Sequence, residues 1–323
     1  MNILLAILAI IGGIIMLVWA AERFVHGAAA TAHNLGVSSL VIGLVVIGFG
    51  TSAPEMLVSA TAALQGNPSL AVGNALGSNI ANIALVLGAT ALVSPLVVRS
   101  ETLRREYPIM FIIMLVALFL MLDYELSRLD GIILLASLFA VMFWMVKLGR
   151  SQQHRDPVAS TLDNEIPRIK TPLALFWLIF GLILLIVSSK ILVIGAVYTA
   201  QWLGISDLVI GLTIIAIGTS LPELAASIMS AIKKEHDLAI GNIIGSNMFN
   251  IMAVLGISST IATTPISELV IKRDYGVMLG LSIALFFMAY GFRGPGRINR
   301  FEGMILLLSY FAYMGVLYKT EII

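Results

Sequence analysis

Long apolar runs constrain this chain more than any other feature. Between short polar breaks there are ten of them, near residues 3–21, 39–64, 70–95, 107–122, 131–147, 172–193, 207–232, 238–262, 275–292 and 302–318. A helix needs about 20 such residues to cross a bilayer core. The opening run has no basic leader and is too long for a signal-peptide core, so it reads as a span. Composition agrees. Of 323 residues, 59% are hydrophobic and 11% charged, against about 25% charged in a soluble domain. A water-soluble globule and a disordered chain are both excluded. The expected fold class is an all-α polytopic membrane protein with ten transmembrane helices.

The charges exclude other classes. Nineteen Lys and Arg stand against 18 Asp and Glu, so no basic field exists to hold nucleic acid. No cysteine is present, which removes disulfides, thiolate metal sites and cysteine nucleophiles. The four histidines, at 26, 33, 154 and 236, never stand four apart, so the helical zinc-hydrolase motif is absent. One long polar stretch, Lys147 to Lys170, reads as a linker near mid-chain. With the N-terminus outside, the inside connections hold fourteen basic residues, among them Arg23, Arg99, Arg104, Arg105, Arg155, Arg168 and Arg293. The outside holds five: Arg128, Lys190, Lys272, Arg273 and Lys319. Because basic residues favour the inner side, both termini are expected outside.

The sequence also matches itself. Shifted by 168 residues, 41–88 falls on 209–256 without a gap and with 24 identities in 48 positions. Gly50-Thr51-Ser52-Ala53-Pro54-Glu55 lies over Gly218-Thr219-Ser220-Leu221-Pro222-Glu223, and Gly73 to Asn79 over Gly241 to Asn247. The chain thus divides into five-span halves, 1–147 and 171–323, joined by the linker 148–170. Five is odd, so the second half enters from the opposite side and the repeats are inverted. Secondary transporters are built this way, with the substrate site at the midplane between repeats. Simple duplication would explain similarity anywhere, but these identities concentrate on polar residues inside apolar helices.

Sixteen acidic residues sit in connections or near span ends; Glu55 and Glu223 sit near the centres of runs. An ionised carboxylate there costs about 2.5–3.5 kcal/mol on insertion scales. No Lys or Arg stands mid-span to pair with either, so the missing positive charge is a bound cation or a proton. Thr51, Ser52 and Glu55 would share one helix face, as would Thr219, Ser220 and Glu223. Ser78 with Asn82, and Ser246 with Asn250, stand four apart. Pro54 and Pro222 disrupt their helices, and carbonyls near Gly48 and Ala216 become candidate ligands. Carboxylate, carbonyl, hydroxyl and amide oxygens suit hard cations: Ca²⁺, Mg²⁺ or Na⁺. The Gly-Ser pairs also suit plain helix packing, and the hydroxyls could bond their own helices. Asp207 reads as an N-cap.

These two segments resemble the alpha repeats of the sodium/calcium exchanger family, and the whole chain is similar to its short prokaryotic members. The resemblance implies a secondary antiporter that exchanges Ca²⁺ for Na⁺ by alternating access in the plasma (inner) membrane. It implies that Glu55 and Glu223 hold both ions, and that Thr51, Ser52, Thr219 and Ser220 supply hydroxyl and carbonyl ligands, mainly to Na⁺. It further implies Na⁺ ligands at Ser78 and Ser246, an amide at Asn82 beside the central site, and carbonyl donors at Gly48 and Ala216. Asn250 departs from members with Asp there, which leaves two formal negative charges and argues against K⁺ co-transport. The first and sixth spans would slide across the other eight. No prosthetic group is expected, Ca²⁺ and Na⁺ being cargo, and the expected working unit is a monomer in the lipid bilayer. A cation/H⁺ antiporter on the same scaffold is the alternative reading, because a buried glutamate can take a proton instead of Na⁺.

Overall fold

The computed structural model describes residues 2–98, 105–152, 169–204, 214, 216–290 and 296–322. The expected N-cap Asp207, the start of the 207–232 run, most of the linker, and Arg99, Arg104, Arg155, Arg168 and Arg293 lie outside them.

Helices dominate. α1 spans Ile3–Leu35, α2 Ser39–Thr51, α3 Ala53–Leu64, α4 Pro68–Val93, α5 Glu106–Leu120 and α6 Arg128–Gln152. In the second half α7 spans Thr171–Trp202, α8 Ala216–Thr219, α9 Leu221–Ile232, α10 His236–Ile261, α11 270–289 and α12 Arg300–Ile322. Among the described residues six helices are long and apolar enough to cross a membrane, and α2 with α3 makes a seventh bent by 42°. Two short antiparallel ladders tie the halves together. β1 (Leu96–Val98) pairs with β4 (Gly296–Ile298), and β2 (Glu125–Leu126) with β3 (Thr264–Pro265).

Two helices overrun the lengths expected from hydropathy, 3–21 and 172–193. α1 has 33 residues and α7 has 32. At about 1.5 Å per residue each is near 50 Å long, more than a core of about 30 Å accepts without tilt. Hydropathy ends the first run at the polar trio Glu22, Arg23 and His26. The helix continues because Ala28 to Ala32 favour it and bury their face. The charges are accommodated locally. Glu22 pairs with Lys233 at 3.0 Å, and the Arg23 guanidinium lies 5.6 Å from the Trp19 ring centre and 5.0 Å from that of Trp177. Arg23 and Lys190, assigned above to connections, are therefore inside helices.

α1 and α7 make the most extensive helix–helix contact, and glycines allow it. A Cβ at Gly13 would lie 2.9 Å from Leu192, and one at Gly181 would lie 2.7 Å from Phe24. Likewise Gly27 meets Leu178 at 2.4 Å, and Gly195 meets Ala6 at 2.7 Å with Ile10 beside it. Each contact maps onto its partner by the same 168-residue shift, which carries Gly13 to Gly181, Phe24 to Leu192, Ile10 to Leu178 and Gly27 to Gly195.

α10 is the central element, its apolar stretch wholly buried. It runs beside α2 along a second glycine seam. A Cβ at Gly48 would lie 2.9 Å from the Ser246 backbone nitrogen, and one at Gly245 would lie 2.2 Å from the Leu44 carbonyl oxygen. No larger residue permits this approach.

Candidate functional site

Both glutamates stand just past a helix break. Ser52 leaves helical geometry at φ −84° and ψ 0°, and Ser220 at φ −89° and ψ 4°. Pro54 and Pro222 fall in the first turn of α3 and α9, where a missing N–H costs nothing. Glu55 and Glu223 occupy that same first turn, beside the partial positive charge of free backbone N–H groups. The break replaces the single continuous helix face expected for Thr51, Ser52 and Glu55. Thr51 closes one helix, Glu55 opens the next, and Ser52 is the corner.

Each glutamate is 1% exposed. The structure brings them together. Glu223 of the second half faces Glu55, Thr51 and Ser52 of the first. Among the described residues neither carboxylate forms an ion pair, and one oxygen of each lacks a hydrogen-bond partner. The Ser52 hydroxyl, both amide atoms of Asn82 and the Asn250 amide oxygen are likewise buried without one. Such a concentration of unpartnered polar atoms in an apolar interior is costly unless something binds them.

Thr51 and Gly48 of α2 meet Ser246 of α10. The Thr51 hydroxyl contacts the Ile47 carbonyl at 3.1 Å, the Asn242 amide oxygen at 3.2 Å and the Ser246 hydroxyl at 3.3 Å. Gly48 abuts the Ser246 backbone, and its carbonyl accepts the Ser52 N–H at 3.1 Å. Ser78, Ser220 and Ser246 are buried, and Thr219 is half-buried. Ala216 opens α8. Asn82 and Asn250 each begin a π-helical turn in α4 and α10. The turn at Asn250 packs on α3, which carries Glu55; the turn at Asn82 packs on α9, which carries Glu223. Each half thus places an asparagine-led turn against the other half's glutamate helix.

Two residues quoted above only within the repeat belong to this site. Asn74 donates to the Glu55 carbonyl at 3.2 Å and to the Ser59 hydroxyl at 3.0 Å. Asn242 donates to the Glu223 carbonyl at 3.3 Å and to the Ser227 hydroxyl at 2.9 Å. Their signal was present: both follow the repeat glycine at equal offset, with Ser59 and Ser227 also equivalent.

Among the described residues no cluster of three or more His, Cys, Asp or Glu exists, so the polar core has two formal negative charges and many neutral oxygens. That donor set matches a hard cation. An apolar helical bundle with this core suits a membrane cation transporter, and the chain belongs to the sodium/calcium exchanger protein family, whose model matches residues 5–147 and 173–319. It is similar to CaxA of Alkalimonas amylolytica, 47% identical over 98% of this chain and 100% of that protein. It is also similar to the inner membrane protein YrbG of Escherichia coli, 42% identical over 98% and 97%. The sodium-calcium exchanger NCX_Mj, in a structure soaked with zero Na⁺ and Ca²⁺, superposes with a TM-score of 0.84 at 32% identity, covering 98% of this chain and all of that one.

Proposed function

We propose that this protein exchanges Ca²⁺ for Na⁺ by alternating access, with the ions held between Glu55 and Glu223. The observation that carries this reading is the facing pair of buried carboxylates, one from each half, with no ion pair among the described residues. Two negative charges neutralise one Ca²⁺ or two Na⁺, and the unloaded dianion is disfavoured in a low-dielectric core. Loaded forms therefore change access more readily than the empty one, which favours exchange over leak. Thr51, Ser52, Thr219, Ser220, Ser78, Ser246, Asn82 and Asn250, with the carbonyls of Gly48 and Ala216, complete the proposed ligand set; no prosthetic group enters the scheme.

In this reading ten spans form two inverted five-helix repeats, 1–147 and 171–323, joined by 148–170. The reciprocal glycine contacts of α1 and α7 support it. A contact in which i touches j while the equivalent of i touches the equivalent of j is what a two-fold axis produces. The likeness to YrbG supports an inner-membrane location. With both termini outside, the α2–α10 seam closes the inner side. On α4, Gly73 is exposed and Gly77 half-buried, whereas their equivalents Gly241 and Gly245 are buried. Access from the outside along α4 is part of this reading, and the monomer contains every proposed ligand.

Radioactive Ca²⁺ uptake into proteoliposomes, with imposed Na⁺, K⁺ or H⁺ gradients compared side by side, tests this. Uptake that follows the Na⁺ gradient is expected. Uptake that follows only pH would make the protein a cation/H⁺ antiporter, and conductance without a counter-ion would make it a channel.

A further inference from the structure

A neutral hydroxyl ligates a cation only through its lone pairs, so its proton must be taken by an acceptor elsewhere. Thr51 is fully buried and has one proton to place. It faces the Glu223 carboxylate, whose oxygens a bound ion would occupy, and two further acceptors are near: the Ile47 carbonyl of its own helix at 3.1 Å and the Asn242 amide oxygen of α10 at 3.2 Å. Ser246 at 3.3 Å can give or take. Asn242 is itself fixed. Both of its amide protons are used, one on the Glu223 carbonyl at 3.3 Å and one on the Ser227 hydroxyl at 2.9 Å. An amide whose two donors are committed has only one face left, and that face is the oxygen aimed at Thr51. A continuous hydrogen-bonded path therefore runs from the hydroxyl of Thr51 in the first half to the backbone of Glu223 in the second.

We infer that Asn242 is a positioning residue for Na⁺. It holds the Thr51 proton so that the hydroxyl lone pairs face the ion, and it ties that orientation to the helix turn bearing Glu223. The inference rests on the exchange proposed above. Its expected signature is selective. A divalent ion draws most of its binding from the two carboxylates, whereas a monovalent ion depends more on neutral oxygens. Loss of Asn242 should therefore weaken Na⁺ more than Ca²⁺.

The test uses the full chain in proteoliposomes, with two readouts. Ca²⁺–Ca²⁺ self-exchange reports Ca²⁺ half-saturation alone, and Na⁺-driven Ca²⁺ flux reports Na⁺ half-saturation. For Asn242→Leu the Na⁺ constant should rise about threefold to tenfold, the scale of one lost hydrogen bond, while the Ca²⁺ constant moves less than about twofold. Ser227→Ala removes one anchor of the amide and leaves Asn242 in place. It should give the same bias at smaller size, and it carries the test if Asn242→Leu does not yield monodisperse protein. Equal shifts in both constants, or none in either, would overturn the positioning role. Wild-type protein with self-exchange but no Na⁺-driven flux would overturn the proposed function as well.

Discussion

Gly245→Ala is the sharpest perturbation that the fold offers. The added methyl would stand 2.2 Å from the Leu44 carbonyl oxygen and 2.9 Å from two further backbone atoms of Leu44, where ordinary contact begins at 3.4 Å. The obstacle is backbone, so no rotamer change relieves it. α2 and α10 must part by about an ångström along the seam, and overpacking of this kind costs about 1–3 kcal/mol. At roughly 2–4 °C per kcal/mol for chains somewhat smaller than this one, the melting temperature should fall by about 2–12 °C. Purified protein in detergent, followed by tryptophan fluorescence on heating, reads this directly. Gly77→Ala is the control, since Gly77 is the repeat equivalent and no described atom lies within 4 Å of its Cβ position. If the seam opens during transport, the same energy also shifts the balance of access states by about fivefold to 150-fold. Equal melting shifts for Gly77→Ala and Gly245→Ala, or no shift for Gly245→Ala, would refute the reasoning.

Glu55→Gln and Glu223→Gln should each abolish Na⁺-driven Ca²⁺ uptake while the protein stays monodisperse, because a neutral amide keeps the shape and removes the charge; full flux in either variant would remove that residue from the site. Asn250→Asp adds a third carboxyl next to α3 and should change Na⁺ cooperativity or the pH dependence of exchange; unchanged curves would show the position to be silent. Lys233→Met breaks the pair with Glu22, whose partners are one-third and one-half exposed, and such pairs contribute about 0.2–1 kcal/mol. A melting shift of no more than about 4 °C is therefore expected, and a larger one would mean the pair does more than bridge a surface.

The proline-marked breaks and the two central glutamates were readable because each has a local chemical cause: a missing N–H at Pro54 and Pro222, and a charge with no partner in its run. The full length of α1 was not readable. Hydropathy registers Glu22, Arg23 and His26 as an end, while the structure answers the charges of Glu22 and Arg23 with Lys233, Trp19 and Trp177, which come from other parts of the fold or from one turn away. The reciprocal glycines at 13 and 181, and at 27 and 195, obey the repeat shift, yet their neighbours differ enough that sequence comparison passes over them. Packing keeps the small residue and lets the surrounding apolar side chains drift. The π-helical turns at Asn82 and Asn250 pack against the opposite half, and no local pattern announces them. Asn74 and Asn242 were visible as identities but bland as chemistry, since an asparagine beside a glycine suggests a turn until its partners are seen.

In the proposed exchange, the placement of Glu55 and Glu223 in the first turns of α3 and α9 has a lasting effect on the ions. Peptide dipoles neither titrate nor leave, so the two carboxylates keep a constant electropositive backing whichever cargo is aboard, and whatever the acidity or salinity on either face. Discrimination between a small divalent and a small monovalent guest then falls to the neutral oxygens around them.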